Sequence, residues 1–118
     1  MISVTNLADA EILLTEIKQL ITRNGIVYLS WRADNAQTLL DLGITAEVRE
    51  SIVDSLSAED YCNGPEPDDK FPSKSVALFG KTFRGRELYI KFSYDYTGNP
   101  VVCISLHVAR SLMRYQFK

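Results

Sequence analysis

The sequence is poor in the residues that metal sites and disulfide frameworks require. It has two cysteines, Cys62 and Cys103, and a single histidine, His107. Two distant cysteines do not make a disulfide framework, and no C-x-x-C spacing or similar metal-ligand pattern is present. We therefore predict no bound metal, no cofactor and two reduced thiols.

The chain also lacks long apolar runs and an excess of basic charge. No apolar stretch approaches the ~18 residues typical of a membrane span, and residues 1–6 lack the basic start and apolar core of a secretory signal. The formal net charge is −2, so the overall field does not attract nucleic acid. These features predict a cytoplasmic protein that binds no membrane and, on its own, no DNA. Binding to RNA would require a local basic patch.

The first half of the chain has the patterns of helices. Apolar residues at helical spacing predict a helix from Leu7 to about Arg23, capped by Thr5 or Asn6 and stopped at Gly25. The segments predicted next are a short strand at 26–29, a helix opened by Asp34 or Asn35, a helix capped by Thr45 and a capped turn at 57–60.

The second half has the patterns of strands. Prolines and polar residues predict a surface loop of roughly ten residues from Asn63 to Lys70, extended by Pro72. Solvation explains the acidic residues of this loop, Glu66, Asp68 and Asp69, better than a divalent ion does. Three strands are predicted to follow, at about Ser75–Phe83, Arg86–Tyr94 and Val101–Val108, and the tail 109–118 could pack along an edge. We expect a single α+β domain, 1–118, with N-terminal helices on one face of a small antiparallel sheet.

The last two predicted strands each have one apolar and one polar side, because side chains alternate with a period of two. The expected apolar sides are Leu88, Ile90, Phe92 and Tyr94 in one strand and Val102, Ile104, Leu106 and Val108 in the other. The expected polar sides are Glu87, Tyr89, Lys91 and Ser93, then Cys103, Ser105 and His107. A tight hairpin through the turn 96–100 places Tyr89 near His107 and Lys91 near Ser105.

Tyr89, Lys91 and His107 form the candidate catalytic set. Histidine is the side chain that titrates near neutral pH, which suits it to general acid or base catalysis. A lone histidine on a strand is more often structural, and alternating tyrosine and lysine are common on solvated strand faces. The shared face of the three residues favours the functional interpretation.

Four further residues are candidate RNA contacts. Lys81, Arg84 and Arg86 flank the preceding turn and form a basic cluster of the kind that phosphates require. The alternative is that these charges protect the tip of a hairpin. Phe79 could stack on a base, although a core position explains it better.

Several motifs resemble the MqsR family of bacterial type II toxins. They are Leu42-Gly43-Ile44-Thr45, Leu56-Ser57-Ala58-Glu59-Asp60-Tyr61 with Gly64-Pro65, Phe79-Gly80-Lys81, Gly85-Arg86-Glu87-Leu88-Tyr89-Ile90-Lys91 and Ile104-Ser105-Leu106-His107. The resemblance runs from about Leu7 to His107. It departs from the family at Leu78, where relatives often have tryptophan, and at Leu106, where many have phenylalanine.

The resemblance implies a RelE-like fold, messenger-RNA interferase activity and inhibition by a cognate antitoxin protein. The active-surface residues of the family fall on Tyr89, Lys91 and His107. The expected reaction is metal-free cleavage of RNA through attack by the ribose 2′-hydroxyl. The alternative is a non-catalytic module that uses the same sheet to bind a protein partner, and the acidic balance of the chain favours that alternative.

Overall fold

Helices come first in the chain and most of the sheet comes last. The computed structural model describes residues 3–118. Met1 and Ile2, the first residues of the predicted domain and of the segment predicted not to be a secretory signal, lie outside the described residues. In chain order the elements are α1 (Leu7–Asn24), β1 (Ile26–Tyr28), α2 (Ala33–Asp41), α3 (Ala46–Asp54), a 3₁₀ helix (Ala58–Asp60), β2 (Tyr61–Pro67), β3 (Ser75–Phe83), β4 (Arg86–Tyr94) and β5 (Val101–Val108). The α+β prediction is confirmed, and none of the described helices is long and apolar enough to cross a membrane.

The five strands form one sheet in the order β1-β5-β4-β3-β2. Strands β3, β4 and β5 make the predicted antiparallel meander. Strand β1 instead runs parallel to β5, pairing Ile26 with Val101 and Tyr28 with Cys103. The expectation of a purely antiparallel sheet is therefore wrong at one edge, because a three-residue run carries no signal of its partner or direction.

The predicted loop from Asn63 to Lys70 is also partly wrong, because its first half belongs to β2. This strand pairs antiparallel with β3, with register shifts on either side of Asn63. It lies at the edge of the sheet, where Pro65 and Pro67 are tolerated because an edge strand does not need every amide for the ladder. The connection that remains, 68–74, is shorter than expected.

Local capping bonds fix the ends of the helices as the sequence predicts. The Asn6 side chain accepts a hydrogen bond of 2.8 Å from the Asp9 amide at the start of α1, and Thr45 accepts one of 3.2 Å from the Val48 amide at the start of α3. These bonds satisfy amides that the first helical turn leaves free. Helix α2 is the exception: it begins at Ala33 with no side-chain cap, so the predicted opening by Asp34 or Asn35 is wrong.

The core lies between the helices and one face of the sheet, here called the inner face. Phe79, Leu88, Ile90 and Phe92 are fully buried on it. The helices contribute the buried side chains Ala10, Leu13, Leu14, Ile17, Leu20, Ile52 and Val53. The opposite, outer face of the sheet carries the alternate residues of β4 and β5.

A β-bulge in β5 reverses the side-chain alternation predicted for that strand. Lys91 pairs with Ser105, but the next residue, Phe92, pairs with Cys103, so Ile104 is the extra residue. Cys103 is therefore buried in the core rather than polar and exposed. Val102, which pairs with outer-face Ser93, and Ile104 line the outer surface instead. Strand alternation cannot predict a bulge, because it assumes that each residue lies opposite a single residue of the neighbouring strand.

Helix α2 completes the edge of β5 beyond the end of β1. The Asn35 side chain donates 3.0 and 2.9 Å hydrogen bonds to the carbonyls of Leu29 and Ile104. Its oxygen accepts a 3.0 Å bond from the Leu106 amide, and Thr38 accepts one of 3.0 Å from the Val108 amide. Two side chains of one helix face thus take the place of a strand and fix the backbone on both sides of Ser105.

Candidate functional site

The three predicted catalytic residues lie together on the outer face. Tyr89 is directly opposite His107 across the β4–β5 ladder, and Lys91 is opposite Ser105. The rings of Tyr89 and His107 stack with centroids 5.1 Å apart and planes 9° from parallel. The predicted shared face of these residues is confirmed, because the bulge lies beyond Ser105 and leaves this part of the register unchanged.

The histidine ring is oriented by a backbone carbonyl. Nδ1 of His107 lies 3.0 Å from the Val108 oxygen. A carbonyl oxygen only accepts hydrogen bonds, so Nδ1 carries the proton of the neutral ring. In this tautomer of the neutral ring, Nε2 is the acceptor nitrogen.

The C-terminal segment and the loop 68–74 border these residues, so the outer face forms a cleft. The C-terminal segment, residues 109–118, lies along one side and is here called the strap. Together with the sheet it encloses a volume of about 750 Å³. The principal lining residues are Arg32, Tyr89, Lys91, Ser105, His107, Met113 and Arg114. A cleft of this size can hold a small ligand or a few nucleotides of a chain.

The loop 68–74 bounds a second volume of about 420 Å³ that shares Lys91 with the first. Asp68 holds this loop against the sheet by accepting a 2.7 Å hydrogen bond from Ser93. Burial alone would raise the pKa of Asp68, but bonds from Ser93 and from the Lys70 and Phe71 amides outweigh it and lower the pKa. This carboxylate is thus occupied in a structural role within its own loop.

The cleft is locally basic although the protein is acidic. Its lining includes four basic side chains, Arg32, Lys91, Arg110 and Arg114, and one acidic side chain, Asp34. Asp34 is paired with Arg110. Lys91 has no ion-pair partner among residues 3–118. The local patch that RNA binding requires is therefore present, on the face that carries Tyr89 and His107.

The predicted basic cluster at the β3–β4 turn does not contribute to this patch. Lys81 pairs with Leu88 and so lies on the inner side of the sheet, where its ammonium group bonds to Asp60 at 3.3 Å and to the Ser55 carbonyl at 3.1 Å. Arg84 bonds to the Leu42 carbonyl. Their expected place beside the outer face is wrong, because odd positions of β3 such as Lys81 face the helices and Arg84, in the turn after β3, bonds back toward α2.

The other two predicted RNA contacts also lie away from the cleft. Arg86 pairs with Phe83 at the end of the hairpin and lies on the same side of β4 as buried Leu88, which is the inner side. Phe79 is 0% exposed and packs edge-on against Phe92, with ring centroids 6.0 Å apart. A ring with no exposed surface cannot stack on a base, so the core alternative for Phe79 is correct.

Sequence reasoning missed the arginines that do line the cleft. Arg32 follows the short strand β1, and Arg110 and Arg114 belong to the C-terminal tail. The only sequence signal was the alternation of apolar and polar residues from Met113 to Lys118. That alternation matches the structure, in which Met113, Tyr115 and Phe117 are partly buried and their neighbours are exposed.

The side chains that could hold a metal are scattered over the described residues, 3–118, and nowhere among them do three come together. A comparison of the chain with protein-family models, with curated proteins and with solved structures finds no match to any of them. The geometry of the cleft therefore carries the functional argument.

Proposed function

We propose that this protein is an endoribonuclease that cleaves RNA without a metal ion, and that it is the toxin of a bacterial type II toxin–antitoxin system. The direct pairing of Tyr89 with His107, with Lys91 on the same face, is the observation that carries this proposal. It places a base, a hydroxyl donor and a fixed positive charge on one wall of a basic cleft.

Each residue has a role in the proposed reaction. The ribose 2′-oxygen attacks the adjacent phosphorus while His107 Nε2 takes the 2′-hydroxyl proton. The bond from phosphorus to the 5′-oxygen then breaks, and that oxygen takes a proton from an acid, either a second group of the site or water. The products are a cyclic phosphate and a free 5′-hydroxyl. Lys91 stabilises the charge that develops on the phosphoryl oxygens, and the Tyr89 hydroxyl donates a hydrogen bond to them.

The positions of two motifs support the proposed kinship to the MqsR toxins. The resembling Tyr-Ile-Lys and Ser-Leu-His motifs fall on adjacent antiparallel strands and face one cleft. A cognate antitoxin protein is the proposed partner. The simplest form of inhibition is an acidic segment of that partner placed over Arg32, Lys91 and Arg114.

The proposal is tested by incubating purified protein with single-stranded RNA in EDTA. Wild type is expected to cut, and a substrate with hydrogen in place of the 2′-hydroxyl at the cut position should resist. Lys91→Met should slow cleavage by about 10²–10³ with a smaller loss of binding, as found for single charge stabilisers. Arg23→Gln removes a charge from the far side of the molecule, on α1, and serves as the matched control.

Cell growth gives a second readout of the same proposal. Expression of wild type without its antitoxin is expected to arrest bacterial growth, and His107→Ala should relieve the arrest at equal soluble level. Cleavage that requires Mg²⁺, or equal cutting of the deoxy substrate, would refute the mechanism. If no RNA is cut under any condition while a protein partner binds the outer face, the non-catalytic interaction module is the correct function.

A further inference from the structure

We infer that the strap is part of the substrate site: it forms one wall of the cleft, and Arg114 contacts the phosphates of a single-stranded nucleic acid. This inference rests on the proposed function, and it assigns substrate binding to a segment outside the motifs that resemble MqsR. The strap supplies seven of the residues that line the cleft, which are Ala109, Arg110, Ser111, Leu112, Met113, Arg114 and Gln116.

The strap is tied to the body of the protein at its near end. The Ala109 amide donates a 2.8 Å hydrogen bond to the Glu87 carbonyl, which continues the ladder of β5. Arg110 then pairs with Asp34 of α2. This ion pair is solvent-exposed and contributes little to stability, but it sets the direction in which the chain leaves the sheet.

The far end is tied down by aromatic packing over a glycine. The Tyr115 ring lies on Gly80 so closely that a β-carbon there would be 2.7 Å from the phenol oxygen. The Phe117 ring stacks on the Tyr61 ring with centroids 5.7 Å apart. The backbone amide of Gln116 donates a 3.2 Å hydrogen bond to the Tyr61 carbonyl. Burial raises the pKa of Tyr115 to about 12, and the neighbouring Glu87 carboxylate adds to this rise. The rise reflects a phenol oxygen that is buried against the sheet.

Between the two anchors the strap leaves its polar groups free. Within the described chain, the amides of residues 111–114 make no hydrogen bond to other backbone groups. Arg114 has no ion-pair partner among residues 3–118. A segment held at both ends, with unpaired donors and a free guanidinium group between them, suits a phosphate backbone running through the cleft.

A fixed wall opposite the sheet also sets the shape of the ligand. The cleft volume of about 750 Å³ matches a few nucleotides of one strand. Removing the far anchor should open the wall while leaving Lys91 and His107 in place. Gly80 pairs with Tyr89 across β3 and β4, so removal of residues 115–118 tests the anchor without adding an atom beside Tyr89, and Gly80→Ala is read alongside it. The strap therefore affects how tightly the strand is held more than how fast it is cut.

The test is binding of a fluorescent single-stranded oligonucleotide with no 2′-hydroxyl at the cut site, measured over a range of salt concentrations. Binding to single strands loses about 0.7 in the slope of log K against log salt for each phosphate contact removed. Arg114→Gln should make the negative slope shallower by about that amount, and Arg23→Gln should leave it unchanged. Gly80→Ala, which displaces Tyr115, and removal of residues 115–118 should each weaken binding about tenfold.

The outcomes separate this inference from the proposed function. If wild type binds no oligonucleotide and cuts no RNA, the proposed function fails. If wild type binds and cuts but Arg114→Gln has the wild-type slope, the strap is not a phosphate contact and the inference alone is overturned. Tighter binding or faster cleavage after removal of residues 115–118 would make the strap an inhibitory cover, which also overturns it. Thermal melting of each variant verifies that the fold is retained.

Discussion

Replacing Asn35 with alanine removes three hydrogen bonds from the edge of β5. The side chain is 6% exposed and bonds to the Leu29 and Ile104 carbonyls and to the Leu106 amide. A hydrogen bond contributes about 1 kcal/mol net, so the loss is about 3 kcal/mol or more, because the backbone partners stay buried. With an unfolding entropy of about 2.1 cal/mol/K per residue, a chain of 118 residues should melt about 12 °C lower.

Circular dichroism melting of matched variants measures this effect. Thr38→Val removes one bond, from the Val108 amide, and should lower the melting temperature by about 4 °C on the same basis. Asn99→Ala is the control, since its side chain bonds only within the exposed turn, to Asp95 and Thr97. If Asn35→Ala melts within about 2 °C of wild type, the claim that α2 replaces a strand at this edge is wrong.

Three further predictions concern buried groups. The lowered pKa of Asp68 means that its stabilisation is present above its unfolded pKa of about 3.9 and is lost as the pH falls through the folded value. Asp68→Asn should therefore melt below wild type at pH 7, and the difference should shrink at pH 3. Burial raises the pKa of Cys62 to about 11 and that of Cys103 to about 12, so both thiols should react with an aromatic disulfide reagent only after denaturation. Phe79→Ala should cost about 3–5 kcal/mol of unfolding free energy, whereas Phe71→Ala, at an exposed ring, should cost less than about 0.5 kcal/mol.

Periodicity in the sequence predicted most elements because each of those elements has one apolar side and clear end signals. Helix α1 and strands β3, β4 and β5 follow the predicted bounds to within a residue. Apart from the predicted cap of α2, the failures are non-local. The partner of β1, the edge position of β2 and the extra residue Ile104 depend on contacts between distant segments, and no local pattern encodes them.

The same distinction applies to the candidate site. Tyr89, Lys91 and His107 could be predicted because strand alternation and a short hairpin determine their common face. Lys81 has the same parity as Phe79, so a core position for Phe79 already implies the inner side for Lys81. Its partners there, Asp60 and Ser55, depend on distant segments and could not be predicted. Arg114 could not be included, because its place depends on how Tyr115 packs on Gly80, far away in sequence.

The acidic balance of the chain was the main argument for a non-catalytic module, and the distribution of charge weakens that argument. Helices α1 and α3 carry six acidic side chains and three basic ones, and the inner face of the sheet separates them from the cleft. The cleft itself is lined by four basic side chains and one acidic side chain. Opposite charges on opposite sides of a molecule give a dipole that turns the cleft toward an approaching polyanion. The net charge of the chain is therefore a weak argument against RNA binding, because four of the five charged side chains that line the cleft are basic.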